Sequence, residues 1–140
     1  MKSKMRISLP FLLNLIILLP LAIHGQNQAP VLTWPQEGAV LDNGCSNQTD
    51  MQTWDFSWEV AEGADRYQLF VQRLGSQFPM INKMVKDTSF TDSRRGYVTP
   101  QNSDGWTWRV RALVNGKWTK WSTLRSFSVE PIDTDCSISG

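Results

Sequence analysis

This sequence predicts an all-β chain folded as a single domain, and three observations carry the prediction. Apolar residues fall on every second position in Trp106-Thr107-Trp108-Arg109-Val110-Arg111-Ala112, the period of a strand with one face buried and one in water. Met51 to Val60 and Arg66 to Leu74 repeat that period. Between such runs stand clusters of Gly, Asn, Asp and Pro, the residues that close turns, and after Gly25 no stretch has the apolar period of a helix longer than two turns. A chain of 140 residues has room for one such domain and not for two ordinary ones.

Taken in order, Pro30-Val31-Leu32-Thr33-Trp34-Pro35 reads as an edge strand bounded by prolines, which edges tolerate. Glu37 to Gly44 continues it through a kink into a turn, and Cys45 to Asp50 is a loop. In Met51 to Val60, parity puts Trp54, Phe56, Trp58 and Val60 inward and Thr53, Asp55, Ser57 and Glu59 outward. Ala61 to Asp65 turns the chain. Arg66 to Leu74 then points Tyr67, Leu69 and Val71 inward and Gln68, Phe70 and Gln72 outward, Phe70 being the one large apolar side chain on that outer face. Gly75 to Val85 is less regular: Phe78-Pro79 limits pairing, while Ile81, Lys83 and Val85 suggest a short strand. A further short strand covers Asp87 to Thr91. Asp92 to Gly105 is a long polar connection, with Arg94-Arg95-Gly96 and Asn102-Ser103-Asp104-Gly105 as turns. Trp106, Trp108, Val110 and Ala112 point inward and Thr107, Arg109 and Arg111 outward. Asn115-Gly116 tolerates positive φ and closes a hairpin, and Trp121 to Val129 forms the last strand, ended by Glu130-Pro131.

The run WTWRVRALVNGKWTKWS, Trp106 to Ser122, resembles the last two strands of a fibronectin type III domain, where an aromatic-x-aromatic-Arg-Val-x-Ala strand precedes a turn and a Trp-Ser. Trp118-Thr119-Lys120-Trp121-Ser122 also resembles the Trp-Ser-x-Trp-Ser box of cytokine-receptor modules, with Thr at its second position. The resemblance implies a seven-stranded immunoglobulin-like β-sandwich over Pro30 to Pro131, with the segments above as strands A, B, C, C′, E, F and G. Trp58 matches the tryptophan that such domains bury between their sheets. Trp106 stands where a tyrosine usually anchors the corner between strands E and F through its hydroxyl. An indole donates from another position, so that hydroxyl bond does not carry over.

Lys2, Lys4 and Arg6 precede an apolar run from Ile7 to Ile23, and a small residue, Gly25, follows it. Such a pattern makes residues 1–25 a secretory signal peptide cleaved after Gly25. Pro10, Asn14 and Pro20 interrupt the run and polar Gln26-Asn27-Gln28 follows it, which argues against a permanent membrane anchor; no cysteine follows it, which argues against a lipid anchor. The chain then divides into this signal, a polar leader at 26–29, the domain at 30–131 and a polar tail at 132–140. It is read as secreted, to a periplasm or the cell exterior. Cleavage removes three of the 14 lysines and arginines and none of the 13 acidic residues, leaving a net charge of −2. Nothing in that balance suggests nucleic acid as a partner, since phosphate binding needs clustered basic surface. The only histidine, His24, leaves with the signal.

Cys45 and Cys136 are an even pair in a chain bound for an oxidising compartment. In the implied sandwich the loop from A to B and the end of G lie at one pole, so a Cys45–Cys136 disulfide is expected. Two cysteines without histidine build no zinc cage, and neither a metal nor another cofactor is expected. A serine nucleophile would lack its base, and the acids, Asp42, Asp50, Asp65, Asp92 and Asp104 among them, read as turn formers; an enzyme is not expected. Asn47-Gln48-Thr49 fits a glycosylation sequon of eukaryotic secretion.

The seven tryptophans divide by parity. Trp54, Trp58, Trp106 and Trp108 are core, whereas Trp34, Trp118 and Trp121 are possible surface platforms. Arg109 and Arg111 should alternate with Trp118 and Trp121 in a stacked ladder on the outer face of the C-F-G sheet. Phe70, Arg109, Arg111, Leu113, Trp118, Trp121, Thr123 and Arg125 are expected to share that surface. Aromatic and arginine side chains are enriched at interfaces, so this is the candidate face for a protein partner, with the chain acting as a binding, adhesion or spacer module. The alternative is a small carbohydrate-binding protein using Trp118, Trp121 and Phe70. A cytokine-receptor-like fragment is disfavoured, because a single domain lacks the elbow between two modules and the four-cysteine pattern is missing.

Overall fold

The computed structural model describes residues 28–136. The expected signal at 1–25, His24 within it, the start of the polar leader and the tail after Cys136 lie outside the described residues.

Alternation builds both layers. In β7 (Trp106–Val114) every odd-placed side chain from Trp106 onward is buried and each intervening one is half-buried. β3 (Met51–Trp58) buries Gln52, Trp54, Phe56 and Trp58, and β4 (Ala64–Arg73) buries Tyr67, Leu69 and Val71. These faces meet in an aromatic core. Trp54 packs edge-on against Trp106 and Phe127 at 5.3 Å between ring centroids, Phe56 against Trp108 at 5.2 Å, and Trp58 lies 5.5 Å from Tyr67. Such edge-to-face pairs add about 0.5–1.5 kcal/mol each beyond the area they bury.

The remaining strands are β1 (Leu32–Trp34), β2 (Ala39–Leu41), β5 (Ile81–Val85), β6 (Ser89–Arg95), β8 (Lys117–Trp118) and β9 (Arg125–Val129). One sheet has the order β1-β3-β6. The other runs β2-β9-β7-β4-β5, with β8 paired to β7. β1 and β2 are the two halves of strand A. β1 pairs antiparallel with β3, the chain breaks at Pro35, which has no N–H to donate, and β2 crosses to run parallel with β9. With β8 and β9 as the two parts of strand G, the nine segments are the seven strands of a fibronectin type III-like, immunoglobulin-like β-sandwich.

Three boundaries differ from the sequence reading. Strand B ends at Trp58, so Val60 is not an inward residue but 77% exposed. The partner ladder from β6 stops opposite Ser57, and the Glu59 amide donates to Val31 O instead. Strand E covers Ser89–Arg95 rather than Asp87 to Thr91, because β6 pairs along β3 from Ser57↔Ser89 to Met51↔Arg95. Arg94 and Arg95 therefore belong to the ladder, and the turn begins at Gly96. Strand G is not continuous from Trp121: the ladder stops after Trp118 and resumes at Arg125.

One pole carries the loop from β2 to β3, the connection from β6 to β7 and the end of β9. Asn43 ties them, its Nδ2 donating to Val98 O and Glu130 O while its Oδ1 accepts from Val98 N and Gly44 N. Cys45 and Cys136 form the expected disulfide here, with Cα atoms 5.9 Å apart. At the neighbouring corner the Trp106 indole donates to Asn102 O, four residues upstream, at 2.7 Å. The tyrosine's hydroxyl bond is thus replaced by an indole N–H bond to backbone at the same corner.

Candidate functional site

The outer face of the larger sheet is set by register. Phe70 stands opposite Arg109 and Asn82, Gln68 opposite Arg111 and Met84, and Leu113 opposite Trp118. All these side chains lie on the parity opposite the core. The segment after Trp118 runs beside β7 without being a strand. Thr119 N donates to Ala112 O while Ala112 N donates to Thr119 Oγ1, at 2.8 and 3.0 Å. Ser122 N and Ser122 Oγ engage Val110 O and Val110 N in the same way, at 2.8 and 3.0 Å. Two hydroxyls therefore stand where a strand would offer carbonyls.

The step from Thr119 to Ser122 takes three residues where β7 takes two, from Ala112 to Val110. In a regular strand, residues three apart point to opposite faces. The extra residue lets Trp118 and Trp121 share the outer face, and both are half-buried there.

The guanidiniums fill the spaces between rings. Arg109 lies 5.3 Å from the centroid of Phe70 and 4.4 Å from Trp121, and Arg111 lies 4.6 Å from Trp121 and 4.5 Å from Trp118. The stack runs Phe70, Arg109, Trp121, Arg111, Trp118, with Phe70 and Trp121 edge-to-face at 6.0 Å. Arg111 Nε donates to Gln68 Oε1 and Gln68 Nε2 to Asn82 Oδ1, both at 2.8 Å. Among the described residues, the only ion pair joins Arg94 to Asp92, so neither stacked arginine is paired with a carboxylate there.

The structure brings together Phe70, Arg109, Arg111, Leu113, Trp118 and Trp121. Arg125 departs from the expected group. It stands opposite Trp108, on the inner-face parity, and its guanidinium reaches across the edge of the sandwich to donate to Pro35 O at 2.9 Å. Because the box breaks the strand, counting by twos from Trp121 loses parity before Arg125. Thr123 is exposed in the same irregular segment, and Trp34 sits on β1 in the other sheet. Asn82 and Met84 were not singled out from sequence. Their parity was visible, but only the pairing of β5 with β4 puts them beside Gln68 and Phe70.

Next to Arg125, Glu37 accepts hydrogen bonds from the Ser126 hydroxyl and backbone amide. Those bonds, side chain first, hold its carboxyl below its ordinary value, with a smaller contribution from the Arg125 charge. Cys45, Asp50 and Cys136 place potential ligand atoms within 4.8 Å of one another, but the two sulfurs are bonded to each other and offer a metal no thiolate. Asn47 is exposed, its side chain engaged with Thr49 N, Asp50 N and Asp50 Oδ2.

No protein-family model matches the sequence, and no curated protein sequence matches it. Solved structures that it is similar to include a Fn3-like protein from Clostridium thermocellum, 22% identical, covering 76% of this chain and 99% of that one, with a TM-score of 0.42. A myokine structure is 17% identical over 75% of this chain and 98% of that one, with a TM-score of 0.47. The fibronectin type III domain of human fibronectin type III domain containing protein 3 is 16% identical over 81% of this chain and 94% of that one, with a TM-score of 0.46.

Proposed function

We propose that this chain is a secreted, non-catalytic binding module whose outer β5-β4-β7 face, together with the box segment, docks a protein partner with an acidic surface. The observation that carries the reading is the stack of two arginines among Phe70, Trp118 and Trp121, charged and without carboxylate partners. Rigid aromatic and arginine side chains lose little freedom on binding and dominate interface energetics, and Met84, half exposed on the same face, adds an adaptable apolar contact. Carbohydrate stacking on Trp118 and Trp121 is the weaker reading, since guanidiniums already cover indole faces there. The test uses Phe70→Ser combined with Met84→Glu, which leaves the core and the Arg–Trp contacts in place. Partners that copurify with the mature domain from its native host should be lost by this variant while it still unfolds cooperatively, its melting temperature lowered only by the loss of the Phe70 contacts to Arg109 and Trp121. Retention of every partner would place the binding surface elsewhere.

A further inference from the structure

A second feature lies at the disulfide-bearing pole, where β4 ends and β7 begins. Arg73 ends β4 opposite Trp106, the first residue of β7, so both lie on the inner-face parity at the mouth of the core. There they line a cleft of about 340 Å³ with Ser76, Phe78, Met80 and Asn102. That volume is at the lower end of small-ligand sites. Met80 and Trp106 provide an apolar wall, while Phe78 is 76% exposed and Leu74, four residues before it, is 79% exposed. Of these two, Phe78 lines the cleft and offers it an uncovered aromatic face.

The polar groups of the cleft are predominantly donors. Asn102 Oδ1 accepts from Arg73 Nη2, and Asn102 O accepts from the Trp106 indole. An arginine has only donors to give, which fixes the amide with its oxygen toward Arg73 and leaves Nδ2 as the group it can present. Arg73 uses Nη2 on Asn102 and Nη1 on Leu74 O, leaving further N–H groups of its fork, and among the described residues no carboxylate lines the cleft to neutralise it. Ser76 gives its proton to Phe78 O and keeps acceptor capacity. A planar cation beside an amide donor, next to an exposed ring, is matched by an acceptor-rich anion with an apolar face.

We propose that this cleft binds a small organic carboxylate that carries a ring, its carboxylate on Arg73 and Asn102 and its ring against Phe78 and Met80. The site is separate from the arginine stack, and its failure would leave the module reading untouched. The ring could be that of a sugar acid or of an aromatic residue at a peptide carboxyl end, so the mature, disulfide-bonded domain is titrated with glucuronate, glucose, N-acetylphenylalanine and N-acetylphenylalaninamide. Calorimetry gives the affinity and backbone amide NMR shifts give the location. At least one acid should bind saturably with shifts confined to residues 73–80 and 100–106, and its uncharged counterpart about tenfold or more weaker. Which acid binds identifies the source. Arg73→Gln, which retains an amide donor for Asn102, and Phe78→Ser should each weaken binding about tenfold at an unchanged melting temperature. Should Arg73→Gln unfold the domain, the exposed Phe78 carries the decision. Equal binding of an acid and its neutral counterpart, shifts that persist in the Phe78→Ser variant, or no binding of either acid at millimolar concentration would overturn the proposal.

Discussion

Thr119 and Ser122 show how much a single oxygen decides. Each hydroxyl accepts the amide of a fully buried residue on the central strand, Ala112 or Val110. Truncating either side chain leaves that N–H inside the sheet without a partner or with a poorly placed water, a cost of roughly 1–3 kcal/mol. Thr119→Val and Ser122→Ala should therefore each lower unfolding stability by about that amount in urea titrations, although Thr119→Val keeps the side-chain volume. An unchanged midpoint for both would mean that the hydroxyls add nothing to the ladder. Glu37 acts at the same scale through charge. Its carboxyl is held below its ordinary value by Ser126, so its stabilising contribution is complete above that value, 4.5, and is lost as pH falls through the lowered folded value. The stability gap between the native protein and Glu37→Gln should be widest at neutral pH and close on acidification below 4.5. A gap that stayed constant with pH would contradict the assignment.

Among the elements, β7 and the box segment form one unit. β7 supplies outward arginines at a two-residue repeat and the box supplies outward indoles at a three-residue repeat, and the hydroxyl bonds hold these repeats in register. Half-buried cation–π contacts of this kind give about 0.5–2 kcal/mol. A double-mutant cycle between Arg111→Ala and Trp118→Ala should report a coupling near 1 kcal/mol that survives added salt better than a surface ion pair would. Additive single effects would show that the stack is geometry without energy. The ladder was legible in the sequence because alternation in β7 is strict. Arg125 was not, because its parity depends on a three-for-two step that no periodicity count includes.

At the scale of the whole molecule, the disulfide pole is where distant chain segments must close on one another. The bridge spans 91 residues, and in the chain-entropy model a loop of that size stabilises by about 4–5 kcal/mol, with less often realised. Reduction in denaturant should lower the unfolding midpoint accordingly; a midpoint indifferent to reductant would mean that Asn43 and its bonds hold the pole alone. Gly44 passes so close to the β6–β7 connection that a Cβ would lie 1.7 Å from Gly96 O. Gly44→Ala should cost about 3 kcal/mol or more, since backbone must move to admit it.

What the sequence determined by itself was everything carried by local period and turn chemistry: an all-β chain, the inward tryptophans Trp54, Trp58, Trp106 and Trp108, the hairpin at Asn115-Gly116, and a cysteine pair suited to one bridge. Those properties follow from a side chain's place in its own strand. Strand ends and shared surfaces follow instead from which strand is the neighbour. The second half of β6, Asp92 to Arg95, is polar enough to read as a loop, yet it belongs to the strand because β3 offers it a ladder. Val60 reads as core, yet it is exposed because the ladder has ended before it. Arg73 meets Asn102 and Trp106 at one mouth only because pairing brings together residues far apart in the chain.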